Sequence, residues 1–181
     1  MAVLAALAVL VVALVWSQSA SRDARSPACR PGQVRAALGP QVVPFTGEHA
    51  VLVVLSAVSA GCVIEGYPQV TLSDRTHVLR FRVKDGGGPY VTPARPKPVS
   101  LRRGHNGYVL VAKYRCDGPA GAAATRVTLS LPGRGGEVSV SLPDEGVGGL
   151  DYCPPYSGGP TVDPGDTVVV SPVAARGTKL Y

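Results

Sequence analysis

Apolar and polar residues alternate with period two in several short stretches of the chain, and Gly, Pro, Asn and Asp separate them. Leu79, Phe81 and Val83 alternate with Arg80, Arg82 and Lys84, and Tyr108, Leu110, Ala112 and Tyr114 with Val109, Val111, Lys113 and Arg115. Val127, Leu129 and Leu131 alternate with Arg126, Thr128 and Ser130, and Val138, Val140 and Leu142 with Glu137, Ser139 and Ser141. Side chains of a strand point to opposite faces in turn, so each stretch predicts a strand with one core face and one wetter face. Residues 50–58 and 167–170 are instead nearly continuous apolar runs rich in Val, which predicts central strands covered on both sides. Asn106-Gly107, following Gly104-His105, predicts a chain reversal because Asn and Gly both accept positive φ. Segments near 50–58, 69–73, 78–84, 98–103, 107–115, 124–131, 136–142 and 167–173 then give about eight strands. The predicted fold is all-β, an antiparallel immunoglobulin-like β-sandwich. Residues 33–38 form the one short helical candidate.

Composition narrows this picture. The 181 residues suffice for a single core, and 22 Gly with 17 Pro make long helices unfavourable. A helical bundle is excluded, as is a parallel α/β sheet, which needs amphipathic helices of 10–15 residues between its strands. No nucleophile elbow, zinc-protease helix or nucleotide-binding glycine loop occurs in the chain, so the commonest hydrolase and nucleotide-enzyme classes have no motif to rest on. No cofactor and no metal site is expected.

Residues 2–16 are an uncharged run of Ala, Val, Leu and Trp, followed by Ser17-Gln18-Ser19-Ala20. Fifteen helical residues span about 22 Å, less than the roughly 30 Å of a bilayer core. Residues 1–20 are therefore expected to be a secretion signal cleaved after Ser19, with a retained membrane anchor as the alternative. Residues 21–28 read as a flexible tether and 29–181 as the folded domain. Cys29, Cys62, Cys116 and Cys153 are even in number, widely spaced and free of any Cys-x-x-Cys motif, as expected of two disulfides in an oxidising compartment. Three pairings are compatible with the sequence. The sequential one, Cys29 with Cys62 and Cys116 with Cys153, closes two loops of similar length, each worth roughly 3.5–4 kcal/mol of loop-closure entropy.

The segment Gly61-Cys62-Val63-Ile64-Glu65-Gly66-Tyr67-Pro68-Gln69-Val70-Thr71-Leu72 resembles the signature of the DUF4232 family, a domain of unknown function found in secreted proteins and lipoproteins of actinobacteria. Cys29 followed by Val34, Leu38 and Gly39, the long apolar strand before Cys62, a turn at 101–104 and the later cysteines agree in order over residues 29–173. The resemblance implies a secreted β-sandwich and supplies no catalytic residues. In the motif itself Gly66 permits positive φ and Pro68 fixes its own, so Gly66, Tyr67 and Pro68 read as a structural turn. Tyr67 is expected to pack over the Cys62 bridge or to hydrogen-bond a neighbouring carbonyl.

Charge is the strongest remaining signal. Residues 75–115 carry ten basic side chains against Asp85, a net +9, while residues 21–74 are neutral and 116–181 carry −3. Arg80, Arg82 and Lys84 are predicted to project from one strand face, a row suited to an anionic envelope polymer, a lipid surface or an envelope protein. The competing reading is that the row guards a sheet edge against pairing with another chain. Nucleic acid is not an expected partner, since the segment lacks interleaved aromatic residues for stacking and the chain reads as secreted. His49, His77 and His105, with the late-loop acids Asp144, Glu145, Asp151, Asp163 and Asp166, are the material for the alternative of a secreted enzyme with a loop-assembled site. The expected function is a non-enzymatic binding or accessory module of the cell envelope.

Overall fold

The computed structural model describes residues 26–40, 42, 47–87, 91, 94–143, 149–154 and 163–177. Its longest strands are β2 (Glu48–Ala57) and β8 (Gly107–Tyr114), paired antiparallel from Glu48 opposite Tyr114 to Leu55 opposite Gly107. Both are apolar at successive positions, so both faces of this pair must be covered, and the strands added beside them extend one large sheet. β1 (Val34–Leu38) flanks β2, and β11 (Thr167–Val170) and β6 (Arg82–Asp85) follow on the β8 side, giving the order β1-β2-β8-β11-β6. A second sheet runs β10-β9-β4-β5 and consists of β4 (Gln69–Ser73), β5 (Val78–Leu79), β9 (Arg126–Ser130) and β10 (Glu137–Ser141). A two-stranded ribbon of β3 (Cys62–Ile64) and β7 (Val99–Leu101) completes the all-β sandwich.

The larger core lies between the two main sheets. Val51, Val53, Leu55, Val109, Val111, Val168 and Val170 of one meet Val70, Leu72, Val127, Leu129, Val138 and Val140 of the other. On the second sheet the opposite parity is polar, with Thr128 and Ser139 hydrogen-bonded at 2.9 Å and Ser130 donating to Glu137 at 2.8 Å. The five-stranded sheet differs: its outer face carries Ala50, Leu52, Leu110, Ala112 and Val169, which form a smaller core with Val91. Burial of apolar groups on both faces is what makes β2, β8 and β11 central.

Several expectations require correction. Residues 33–38 contain β1 rather than a helix, because Val34 to Leu38 pair with Ala57 to Val53 and Val34 enters the main core. This tertiary pairing overrides the helix propensity of the Ala-Ala-Leu segment. β8, read as having one wet face, is buried on both. The reversal after β7 is made at Arg102–His105, with Gly104 at φ 75°, and not by positive φ at Asn106-Gly107. Gly107 is a strand residue without a side chain because a Cβ there would lie 3.0 Å from the side chains of Leu101 and Val173. β6 and β11 are parallel, so the larger sheet is mixed. The folded region also begins before Cys29: Pro27 accepts from Val63 N at 2.8 Å and Cys29 N donates to Val63 O at 3.0 Å, which draws the end of the tether into the domain.

The pairings are Cys29–Cys62 and Cys116–Cys153, the sequential alternative. Two disulfides in a domain of this size mark an oxidising compartment of the extracellular type. Residues 1–25, which hold the apolar segment and most of the tether, lie outside the described residues.

Candidate functional site

The row Arg80, Arg82 and Lys84 does not lie on one strand face. Leu79 ends β5 in the second sheet, opposite Leu72, whereas Arg82 begins β6 in the first, opposite Thr167. The chain passes between sheets at Arg80–Phe81, so the sequence alternation continues across a break in the strand. All three cations are exposed. Within β6, Arg82 and Lys84 are two residues apart and share the outer face with Thr167 and Val169. The Arg82 Nε lies 3.5 Å from Asp166 Oδ2. β6 ends the sheet order, which places both cations on an edge strand.

Lys84 also borders a groove on that outer face. The groove has a volume of about 330 Å³, an apolar floor that includes Val91, Ala112 and Val169, and Glu48, Lys84 and Tyr114 among its other lining residues. Burial pushes the Glu48 carboxyl above its ordinary range. An apolar floor with separated polar groups is the usual chemistry of a site for a small ligand or a partner's side chain.

The histidines do not converge. His77 closes the β4–β5 turn, where Asp74 Oδ1 accepts from the backbone N–H groups of Thr76 and His77, each at 2.6 Å. His105 sits in the β7–β8 turn, and His49 lies opposite Lys113 near the far end of β8, about 20 Å or more away along the strand. His49 instead faces a cluster that sequence reasoning only half assembled. Desolvation lowers its pKa, followed by Lys113, and its Nδ1 is buried without a hydrogen-bond partner among the described residues.

Lys113 is the functional candidate that pattern reading missed. It lies on the inner face, in phase with Val109 and Val111, and is 3% exposed. Its Nζ donates to Cys153 Sγ at 3.4 Å and sits 6.0 Å from the centroid of the Phe81 ring, which itself packs edge-on against Tyr152. Burial lowers the ammonium pKa to about 8, against the opposing pull of Asp151, Asp163 and Asp166. The in-phase position was the available signal: a lysine on the parity of two core valines, three residues before a cysteine. Asp163 is itself buried and has a structural task, accepting from Gly165 N at 2.8 Å, Asp117 N at 2.9 Å and Gly118 N at 3.3 Å. No group of three or more metal-ligating side chains occurs among the described residues. Asp144 and Glu145 lie outside them.

The Gly66-Tyr67-Pro68 turn is positioned by packing and hydrogen bonds. Gly66 has φ 128°, and a Cβ there would lie 3.0 Å from Pro132 Cβ. Gly66 O accepts from Val173 N at 3.0 Å, and the Tyr67 hydroxyl donates to Ala94 O at 2.8 Å. The carbonyl contact is the second of the two roles expected for Tyr67. Pro68 is buried.

Comparison with known proteins finds no match among curated proteins or solved structures. A family model, the domain of unknown function DUF4232, matches residues 29–174, a span that holds both disulfides, the Gly-Tyr-Pro turn and every strand of the sandwich. The chain therefore belongs to the DUF4232 family.

Proposed function

We propose that this domain is an extracytoplasmic, non-enzymatic binding module that holds an anionic component of the cell envelope against the β6 edge. The observation carrying this reading is the placement of Lys84 at the groove on the outer face, with Arg82 two residues away on the same face. A cation beside an apolar groove suits a partner that combines an anionic group with an apolar one. Electrostatic complementarity of this kind speeds encounter and weakens with salt. The break between Arg80 and Arg82 divides the predicted row, so Arg80 contributes from the crossing between sheets rather than from the same strand.

The test is retention of the purified protein on envelope material from its host, at low and high salt. Reversing Arg80, Arg82 and Lys84 to Glu is expected to lower low-salt retention at least about tenfold, an effect that raised salt imitates. Unchanged retention would remove this face from the contact. Vesicles of anionic lipid against neutral lipid separate a lipid surface from an envelope polymer, and co-purification of one stoichiometric protein would indicate an accessory domain of a protein partner. The enzyme alternative has a narrower basis, since only His49 of the three histidines lies near the late-loop aspartates and Asp163 already serves three backbone donors.

A further inference from the structure

The two disulfides differ in what touches their sulfurs. Cys29 and Cys62 are 3% and 0% exposed and belong to the main apolar core. At the other bridge Cys153 is 2% exposed while Cys116 is only partly buried. Gly165 packs so closely on Cys153 that a Cβ there would lie 2.5 Å from its Sγ, so an incoming reagent reaches Cys116 and not Cys153. The sulfur that such an attack would expel, Cys153 Sγ, is the one that the Lys113 ammonium contacts at 3.4 Å.

We propose that Cys116–Cys153 is a thiol–disulfide exchange site for an external dithiol, with Lys113 positioned to stabilise the departing Cys153 thiolate. In the first step a thiolate of the dithiol attacks Cys116 Sγ. The Cys116–Cys153 bond breaks, a mixed disulfide forms at Cys116, and the electron pair leaves on Cys153. In the second step the other thiol of the reagent, after giving up its proton to solvent, attacks its own sulfur in the mixed disulfide. Cys116 is released as a thiol or thiolate, and the two electrons gained by the protein equal those lost as the reagent becomes a disulfide. A stabilised leaving thiolate both speeds exchange and favours the reduced form. Lys113 is suited to this at neutral pH because its pKa of about 8 leaves it mostly protonated.

The backbone around the pair is held independently of the bridge, so the thiols stay near one another for re-oxidation. Gly121 N donates to Tyr152 O at 2.8 Å, Tyr152 N to Ala122 O at 2.9 Å and Ala124 N to Leu150 O at 3.2 Å. Asp163 separately fixes Asp117 and Gly118, immediately after Cys116.

The experiment equilibrates the full chain with graded ratios of reduced to oxidised dithiothreitol at neutral pH, traps free thiols by alkylation and assigns them by peptide mass. Cys116–Cys153 is expected to open at a ratio at least about tenfold lower than Cys29–Cys62. Lys113→Met should raise the ratio needed for Cys116–Cys153 about tenfold beyond any shift at Cys29–Cys62, the latter reporting the altered overall stability. In the singly reduced protein, thiolate absorbance should give a Cys153 pKa below the ordinary value of about 8.5, returning toward it in Lys113→Met. Simultaneous opening of both bridges, earlier opening of Cys29–Cys62, or a thiol pKa indifferent to Lys113→Met would each overturn the proposal.

Discussion

β8 has a disulfide toward each end, and the two surroundings follow opposite chemical rules. Toward Gly107, Cys62 pairs with Leu101 in the β3–β7 ribbon, Leu101 packs beside Gly107, and the bridge to Cys29 is enclosed by apolar groups. Toward Tyr114, the Cys116–Cys153 bridge meets the buried Lys113 ammonium, which in turn interacts with the half-buried His49 imidazole and with Asp151, Asp163 and Asp166. The sequence separations, 33 and 37, are nearly equal, so loop-closure entropy is the same for both within about 0.1 kcal/mol. Any difference in their energetics therefore originates in the native surroundings. Burial of a sulfur among apolar groups stabilises it as packed volume, whereas beside an ammonium it also serves as a hydrogen-bond acceptor.

The largest expected effect tests this separation directly. Replacing Cys29 and Cys62 by Ala should cost about 4 kcal/mol, measured by urea unfolding, most of it loop entropy. Replacing Cys116 and Cys153 by Ala removes a similar entropy and also deprives the Lys113 ammonium of its sulfur acceptor. A double-mutant cycle with Lys113→Met should show coupling of about 1–3 kcal/mol to Cys116–Cys153 and none to Cys29–Cys62. Equal coupling to both bridges would erase the distinction between the ends.

Lys113→Met alone should stabilise the protein at pH 7, by an amount on the order of 2 kcal/mol, because a buried charge that forms no ion pair with a carboxylate among the described residues is replaced by an apolar chain of similar length. The pH profile identifies the cause. The Lys113 pKa is lowered from 10.5 to about 8, so between these values the unfolded chain holds a proton that the folded chain has released. Stability from this group accordingly rises with pH from about 8 to 10.5, and the rise should vanish in Lys113→Met. His49 has the same sign lower on the scale: its pKa lies below 6.5, so its contribution falls as pH drops through the window below 6.5. His49→Gln should flatten that acid limb without affecting the alkaline one.

The same contrast explains what could be read before the structure. Period-two alternation located β9 and β10 within one or two residues because the second sheet has one wet face, the condition under which alternation is informative. It misread β8 because Tyr108, Leu110 and Ala112 share their outer face with Val42, Val91 and Ala174, long-range contacts that the local pattern cannot encode. It joined residues 78–84 into one strand because alternation survives a crossing between sheets. β1 was hidden for a different reason: its Ala-rich sequence gains its strand identity only from β2. Lys113 was legible in principle from its phase with Val109 and Val111, but a lysine on a strand is ordinarily read as solvated, and the acceptor that keeps it buried comes from Cys153, forty residues later.

A smaller effect is expected at the apolar end, where the family motif lies. Gly66→Ala combines a positive φ of 128° with the approach of Pro132 at 3.0 Å and should cost about 1–3 kcal/mol, read from the urea midpoint. Tyr67→Phe should cost least, about 0.5–1.5 kcal/mol, since it removes one hydrogen bond to Ala94 O and keeps the ring. The informative result is the pairing of that loss with function. If the Gly66-Tyr67-Pro68 turn positions the chain and does not touch a ligand, Tyr67→Phe lowers stability and leaves envelope retention unchanged, while charge reversal at Lys84, which unlike Arg82 has no ion pair to lose among the described residues, lowers retention and leaves stability unchanged. Retention lost in Tyr67→Phe at undiminished stability would place the binding surface beside the turn, at the end of β8 that carries Cys29–Cys62.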